Sequence, residues 1–421
     1  MKNVLIITYY WPPSGGAGVQ RWLKFVKYLP KYGWRPIVLT VDTDYATYPL
    51  TDDSLVKDIP NDLEVHTTKA INFFSLYSKK ASQVPSAGFA VNSPNNLKNK
   101  IGRFIRGNFF IPDPRRGWNR YAVKKAAELI RENNISHIIT TSPPHSSQLI
   151  GLSLKKMFPN IKWIADLRDP WTDIYYYDQF LHTSLAKKID KRYELSVLQN
   201  ADRIITVSSI ADIFASKGEG IREKITIITN GYDAADFTDV VETPPDIFTI
   251  TYCGTVAESY PIMPLLEALA NINKSGKQYL LKFIGVVNNN IKKIITETIG
   301  ADKVEFVPYT PHNEIINHIS NASVLLLLIP TEKNNGTILT GKIFEYIATC
   351  RPVILIGPTD GYAATILRDC GHKGIFGIND SEGIYNYINS IIGETMPQPL
   401  PPHPEFSREL LTGKLVEILN E

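Results

Sequence analysis

The sequence predicts an α/β protein of two doubly wound domains, each a parallel sheet with helices on both faces, followed by a short C-terminal helix. Three observations predict it. The chain has 421 residues, more than one hydrophobic core ordinarily serves. Its first half alternates short, unbroken, β-branched apolar runs with helical patterns, as expected of strands covered on both faces. The same alternation restarts after Asp246.

In the first array, strands are expected at residues 4–8, 37–41, 138–141, 163–165, 204–207 and 225–228. Between the first two, Val19, Trp22, Leu23, Val26 and Leu29 recur at helical spacing, which makes a β-α-β unit beginning at residue 3. The second array reads as strands at 248–252, 280–286, 304–307, 324–329 and 353–356. Helices are expected at 263–271, 291–299, 312–319, 342–348, 363–368 and 382–391. Glu242, Pro244 and Pro245 interrupt regular structure near 233–246, so the domains are placed at 1–238 and 239–400. A Pro-rich stretch, 396–404, precedes an amphipathic helix at 405–419. Within the segment 401–421 that helix is expected to pack back on the body, crossing to the N-terminal domain. The stretch 43–99 shows few elements, and its Asn-rich part, 92–99, reads as mobile.

Hydrophobic residues make up 43% of the chain and charged residues 21%, which excludes a disordered or collagen-like polymer. Lys and Arg number 45 against 42 Asp and Glu, and a net +3 gives no support for a nucleic-acid protein. Cys253, Cys350 and Cys370 are widely spaced, with no Cys-x-x-Cys pair to mark a zinc or redox centre. The N-terminal apolar stretch is too short for a signal peptide, and the longest other run, 324–329, falls far short of the roughly 20 residues that span a bilayer. A cytoplasmic protein without a membrane anchor is expected, with peripheral contact at the inner membrane face as an extension of that reading.

The first chemical signal follows the first strand. Pro12-Pro13-Ser14-Gly15-Gly16-Ala17-Gly18 opens directly into the first helix, a loop that lets backbone approach a ligand and presents free N–H groups to a phosphate. The spacing is not G-x-G-x-x-G, which disfavours a nicotinamide enzyme. A tight connection without a ligand is the alternative.

The second signal runs from Gly336-Thr337-Ile338-Leu339-Thr340-Gly341 through Lys342-Ile343-Phe344-Glu345-Tyr346 to Arg351-Pro352-Val353-Ile354. With Asn230-Gly231-Tyr232-Asp233 and the Gly15-Gly16 loop, it resembles glycosyltransferase family 4 over residues 4 to about 393. The subgroup with Asp-x-Arg-Asp-x-Trp and Lys-Ile-Phe-Glu-Tyr segments is the more similar one. The resemblance implies the GT-B fold, two Rossmann-like domains facing a cleft, with the acceptor on the N-terminal domain and the donor nucleotide on the C-terminal one. Glu345 matches the second Glu of the family's Glu-x7-Glu pattern, but Thr337 stands where the first belongs. The family's usual Arg and Lys after the first C-domain strand are replaced by Thr255, next to Gly254, and by Tyr260. Lys342 is the candidate replacement for those cations.

A third signal is Ala165-Asp166-Leu167-Arg168-Asp169-Pro170-Trp171 after a strand, with Tyr175, Tyr176 and Tyr177 beyond. Charges at the carboxyl end of a parallel strand lie where open α/β sheets place ligands. An Asp–Arg ion pair holding a loop is the alternative. His145 follows another strand and could relay a proton, although a lone His is more often a structural hydrogen-bonder. Asp42-Thr43-Asp44 fits a metal-binding Asp-x-Asp, yet three-residue matches arise by chance and no metal is assigned. Between 97 and 131 ten basic residues face two acidic ones, with aromatics interleaved. Arg103, Arg106, Arg115 and Arg116 in this stretch fit a membrane or a lipid-linked phosphate acceptor as well as they fit a solvated helix pair.

The expectation is therefore a retaining, metal-independent glycosyltransferase without a cofactor, acting in cell-surface polysaccharide or glycolipid synthesis. Its partners are a nucleotide-sugar donor and a carbohydrate or lipid-linked acceptor, with no nucleic acid. The donor would meet Gly15, Gly16, Asn230, Gly254, Thr255, Gly341, Lys342 and Glu345. Asp166, Asp169 or His145 would orient or deprotonate the acceptor, which Arg168 and Trp171 would contact. A sugar-nucleotide epimerase and a degenerate, non-catalytic binding protein are the rival readings, the latter because of Thr255, Tyr260 and Thr337.

Overall fold

The computed structural model describes every residue except 74–96, 175, 242, 309 and 333. Asn92 to Asn96, Tyr175 and Glu242 therefore lie outside the described residues, as does the side chain of Lys98. Met1–Thr229 with Leu411–Glu421 form one compact unit and Asn230–Leu410 a second, where the sequence places the joins at 238 and 400.

The first unit is a seven-stranded sheet, all parallel: β1 (Lys2–Ile7), β2 (Trp34–Val41), β3 (Glu64–Thr68), β4 (His137–Ser142), β5 (Lys162–Leu167), β6 (Arg203–Thr206) and β7 (Ile225–Ile227), in the order β3-β2-β1-β4-β5-β6-β7. Its strands read as unbroken apolar runs because both faces are covered. Leu5, Ile7, Ile37, Leu39 and Ile138 enter one core, while Val4, Ile6, Val38, Ile139 and Ile164 enter the other. The edge strand β3 is only half-buried and its Glu-Val-His-Thr-Thr carries no apolar run, so sequence patterning passes over it.

Helix α1 (Ala17–Tyr28) buries Val19, Trp22, Leu23 and Val26, the spacing the sequence shows. The basic stretch folds as α2 (Leu97–Phe109) and α3 (Asn119–Glu132). Helices α4 (Ser146–Met157), α5 (Ser184–Asn200) and α6 (Ile210–Ala215) complete the unit's first stretch of chain.

The second unit has six parallel strands: β8 (Thr249–Cys253), β9 (Leu280–Ile284), β10 (Val304–Val307), β11 (Val324–Leu328), β12 (Val353–Ile356) and β13 (Gly374–Phe376), in the order β10-β9-β8-β11-β12-β13. β13 escapes sequence patterning because three residues carry no period. The helices are α7 (Met263–Lys274), α8 (Asn289–Ile299), α9 (His312–Ser320), α10 (Lys342–Ala348), α11 (Tyr362–Asp369) and α12 (Ser381–Ile391).

The terminal helix α13 (Arg408–Asn420) starts later than 405 because Pro404–Phe406 form a 3-10 turn. Its residues Leu411, Leu415 and Leu419 pack back against Val4, Ile6 and Trp22. No described helix is long and apolar enough to cross a membrane.

In each sheet the strand order reverses once beside the first strand, at β1/β4 and at β8/β11. The carboxyl ends of strands at such a reversal are where open α/β sheets bind ligands.

Candidate functional site

At the reversal of the second unit, β8 is followed by Gly254, whose φ of 123° favours glycine. Its amide donates to the Ile284 carbonyl at 2.7 Å. The aliphatic end and amine of Lys342, from the first turn of α10, lie where a Gly254 side chain would project, so any larger residue would expel them. The Lys342 amine lies 4.7 Å from the centre of the Tyr252 ring and 3.4 Å from its hydroxyl, which itself donates to the Thr255 carbonyl at 2.9 Å. Burial is the main cause pulling the amine's pKa down to about 8, against the opposing pull of Cys253 and Glu345. A cation thus stands at the carboxyl end of β8 with no carboxylate in ion-pair contact among the described residues.

One turn on, the Glu345 side chain keeps a fifth of its surface exposed and lies 3.9 Å from Nδ1 of His312, at the start of α9. His312 Nε2 lies 3.4 Å from Asp236. Burial pushes the Glu345 carboxyl up, and His312 is the strongest influence pulling it back. The His312–Asp236 pair was not signalled by any sequence motif; only its position at a helix start after Pro311 sets it apart.

At the reversal of the first unit, Asp166 at the end of β5 is fully buried. It accepts from Trp22 Nε1 and Thr141 Oγ1, each at 2.7 Å, and pairs with Arg21 at 3.3 Å. This carboxylate is an internal staple, the ion-pair alternative, and offers no face to a substrate. Arg168 Nε donates to the Ser142 carbonyl at 3.0 Å, and its guanidinium covers Gly18 in the first turn of α1, where any side chain would collide with it. Asp169 is partly exposed and has no hydrogen-bond or ion-pair partner among the described residues. Burial raises its pKa while Arg168 lowers it.

His145 stacks on Trp171 with ring centroids 4.9 Å apart and planes 13° from parallel. Burial, helped by Arg168 and Lys217, pulls its pKa down to about 3. Trp171 is itself buried and donates to Asp190 at 2.8 Å, so it supports His145 from below and is not an acceptor-contacting surface. Arg168, Asp169, His145 and the Gly15–Gly18 loop are thus gathered at one end of one sheet.

Residues 85–236 match the model of Glycosyltransferase Family 4. Among solved structures, the sucrose-phosphate synthase of Thermosynechococcus elongatus is 16% identical, covering 100% of this chain and 98% of its own, with a TM-score of 0.61. HepE of Anabaena, solved in complex with UDP, is also 16% identical over 100% of both chains, with a TM-score of 0.61. The chain has the GT-B fold of these proteins. A putative UDP-N-acetylglucosamine 2-epimerase of Listeria monocytogenes, 10% identical over 100% of this chain and 96% of its own at a TM-score of 0.56, shows that the fold alone does not choose the reaction. No curated protein matches the chain by sequence.

The remaining expected residues fall as follows. Gly16, at φ 103°, caps α1 without a side-chain bond, and the Gly15 amide donates to the Leu50 carbonyl at 3.0 Å. Asn230 opens the second unit, partly exposed, and Gly341 precedes the seven-residue α10. Thr337 lies in a 3-10 turn and donates to the Asn334 carbonyl at 2.8 Å. Asp42 caps the turn Thr43–Tyr45, accepting from the Asp44 amide at 3.0 Å, a local role that uses the Asp-x-Asp spacing.

Of the four expected membrane arginines, Arg115 is a correction. It is buried and donates to the Thr47 carbonyl at 3.3 Å, so it faces no lipid. Arg106 lies over the Phe180 ring at 4.4 Å, Arg103 is partly exposed, and Arg116 is exposed while donating to the Ile111 carbonyl at 2.7 Å.

Proposed function

We propose that the chain is a glycosyltransferase that moves a sugar from a nucleotide-sugar donor to an acceptor hydroxyl, with retention at the anomeric carbon and without a metal ion, in cell-surface polysaccharide or glycolipid synthesis. The observation that carries the donor half of this reading is the Lys342 amine held against Gly254. It is a fixed cation at the strand end where the family's usual Arg is missing, and there it would stabilise the charge that develops on a leaving diphosphate. Glu345, turned by His312, would accept from the ribose hydroxyls, with Asn230, Thr255 and Gly341 completing the nucleotide's surroundings. On the other unit the amides of the Gly15–Gly16 loop at the start of α1 suit a phosphate.

Asp169 is the group for the acceptor hydroxyl, because it is the unengaged carboxylate beside Arg168 and its raised pKa strengthens it as a base. His145, kept neutral at ordinary pH, would orient the acceptor by hydrogen bonding and would not take up its proton. The transition state is oxocarbenium-like, with its charge drawn off by the departing diphosphate.

Lys342→Met tests the donor half. Losing a charge-assisted contact should weaken nucleotide-sugar binding by about 10- to 100-fold in calorimetry. Unchanged affinity would remove Lys342 from the site. Turnover should survive EDTA, and a loss restored by magnesium or manganese would overturn the metal-free reading.

A further inference from the structure

We propose that the face formed by α2 and the first turns of α5 is a docking surface for an anionic lipid bilayer. It shares α2 with the basic stretch that the sequence singles out, but adds α5 and leaves out the segment of Arg115 and Arg116. Helix α2 exposes Ile101, Phe104 and Phe109, the last at 69%. The start of α5 continues this surface with Leu181, Leu185 and Ile189, of which Leu185 is 68% exposed.

Asn108 ties the two elements together. Its side-chain amide donates to the Phe104 carbonyl at 2.8 Å and to the Leu181 carbonyl at 3.1 Å, and its oxygen accepts from the Thr183 amide at 2.7 Å. The Thr183 hydroxyl in turn caps α5, accepting from the Ala186 amide at 3.3 Å. Six exposed large apolar side chains thus lie on and between the two helices that Asn108 braces, more than the scattered exposure an ordinary surface shows.

Charge selects the occupant. Both acids of α5 point inward: Asp190, 2% exposed, holds Trp171 and Tyr177, and Glu194, 1% exposed, holds Thr172 and Lys217. Its bases point outward. Lys188, Lys191 and Arg192 are exposed and make no ion pair among the described residues, and on α2 Lys100 is exposed too. The acid beside them, Asp178, is matched by Lys187 at 2.8 Å.

Apolar side chains long enough to enter the acyl boundary, ringed by unopposed positive charge, suit an anionic bilayer surface. A symmetric contact with a second copy would instead set these bases against each other.

The test is co-sedimentation of the full chain with vesicles of phosphatidylcholine alone or with about one third phosphatidylglycerol. The chain should bind the anionic vesicles, and binding should fall as salt rises to about 0.5 M, where the Debye length is roughly 4 Å. Replacing Lys188, Lys191 and Arg192 with Gln should weaken binding about 100-fold, at the usual contribution of each basic residue near a charged membrane. Phe109→Ser with Leu185→Ser and Ile189→Ser should abolish the binding that survives high salt. All six positions are exposed, so thermal unfolding should not move; should the apolar triple variant unfold, Leu185→Ser alone is read in its place. Failure to bind anionic vesicles, binding indifferent to both sets of substitutions, or a dimer that the same substitutions dissociate would each overturn the proposal.

Discussion

Lys342 is the residue on which the donor half of the proposed function rests, and burial brings its ordinary pKa of 10.5 down to about 8. The amine is charged below that value, so donor affinity should fall as pH rises through about 8, and the Lys342→Met protein should lack the inflection. For stability the sign is the opposite. Between pH 8 and 10.5 the unfolded chain holds a proton on Lys342 that the folded chain does not, so this group's contribution to stability rises with pH across that window. Glu345→Gln keeps size and removes charge, and should reduce donor use by about 10- to 100-fold with folding intact. Unaltered donor use with clear destabilisation would make Glu345 structural. Lys342 and Glu345 were legible in the sequence because they share a short helix and a motif. His312 and Asp236 were not, since residues brought together from 76 positions apart leave no spacing to read.

Elements explain which charged residues are structural. Asp166 looks available in sequence, at a strand end beside Arg168 and Asp169. In the fold it joins three elements, taking hydrogen bonds from Thr141 on β4 and from Arg21 and Trp22 on α1. Arg21 also donates to the Thr229 carbonyl at 2.9 Å, next to β7. Arg21→Met would remove the fully buried cation from this carboxylate, leaving it only Arg168 at 3.8 Å. Chemical denaturation should show a loss of about 3–5 kcal/mol, and a loss below about 1 kcal/mol would show that the staple is dispensable. Sequence patterning could not separate Asp166 from Asp169, because both are polar residues after an apolar run; burial separates them. The same holds for α5, whose acids and bases alternate along the chain but divide between inside and outside in the folded helix.

For the whole molecule, the two alternating arrays were legible because parallel strands buried on both faces must be apolar throughout, whereas β3 at an edge and the three-residue β13 fall below that signal. A chain built this way supports transferases and epimerases alike, so the reaction must be read from its products. Incubation of the purified chain with a panel of radiolabelled nucleotide sugars and a membrane extract separates these reactions. For a transferase, label from one donor should appear in an acceptor and free nucleoside diphosphate should be released. Interconversion of the donor sugar with no acceptor labelled, or binding of donor without any turnover, would contradict the proposed transfer.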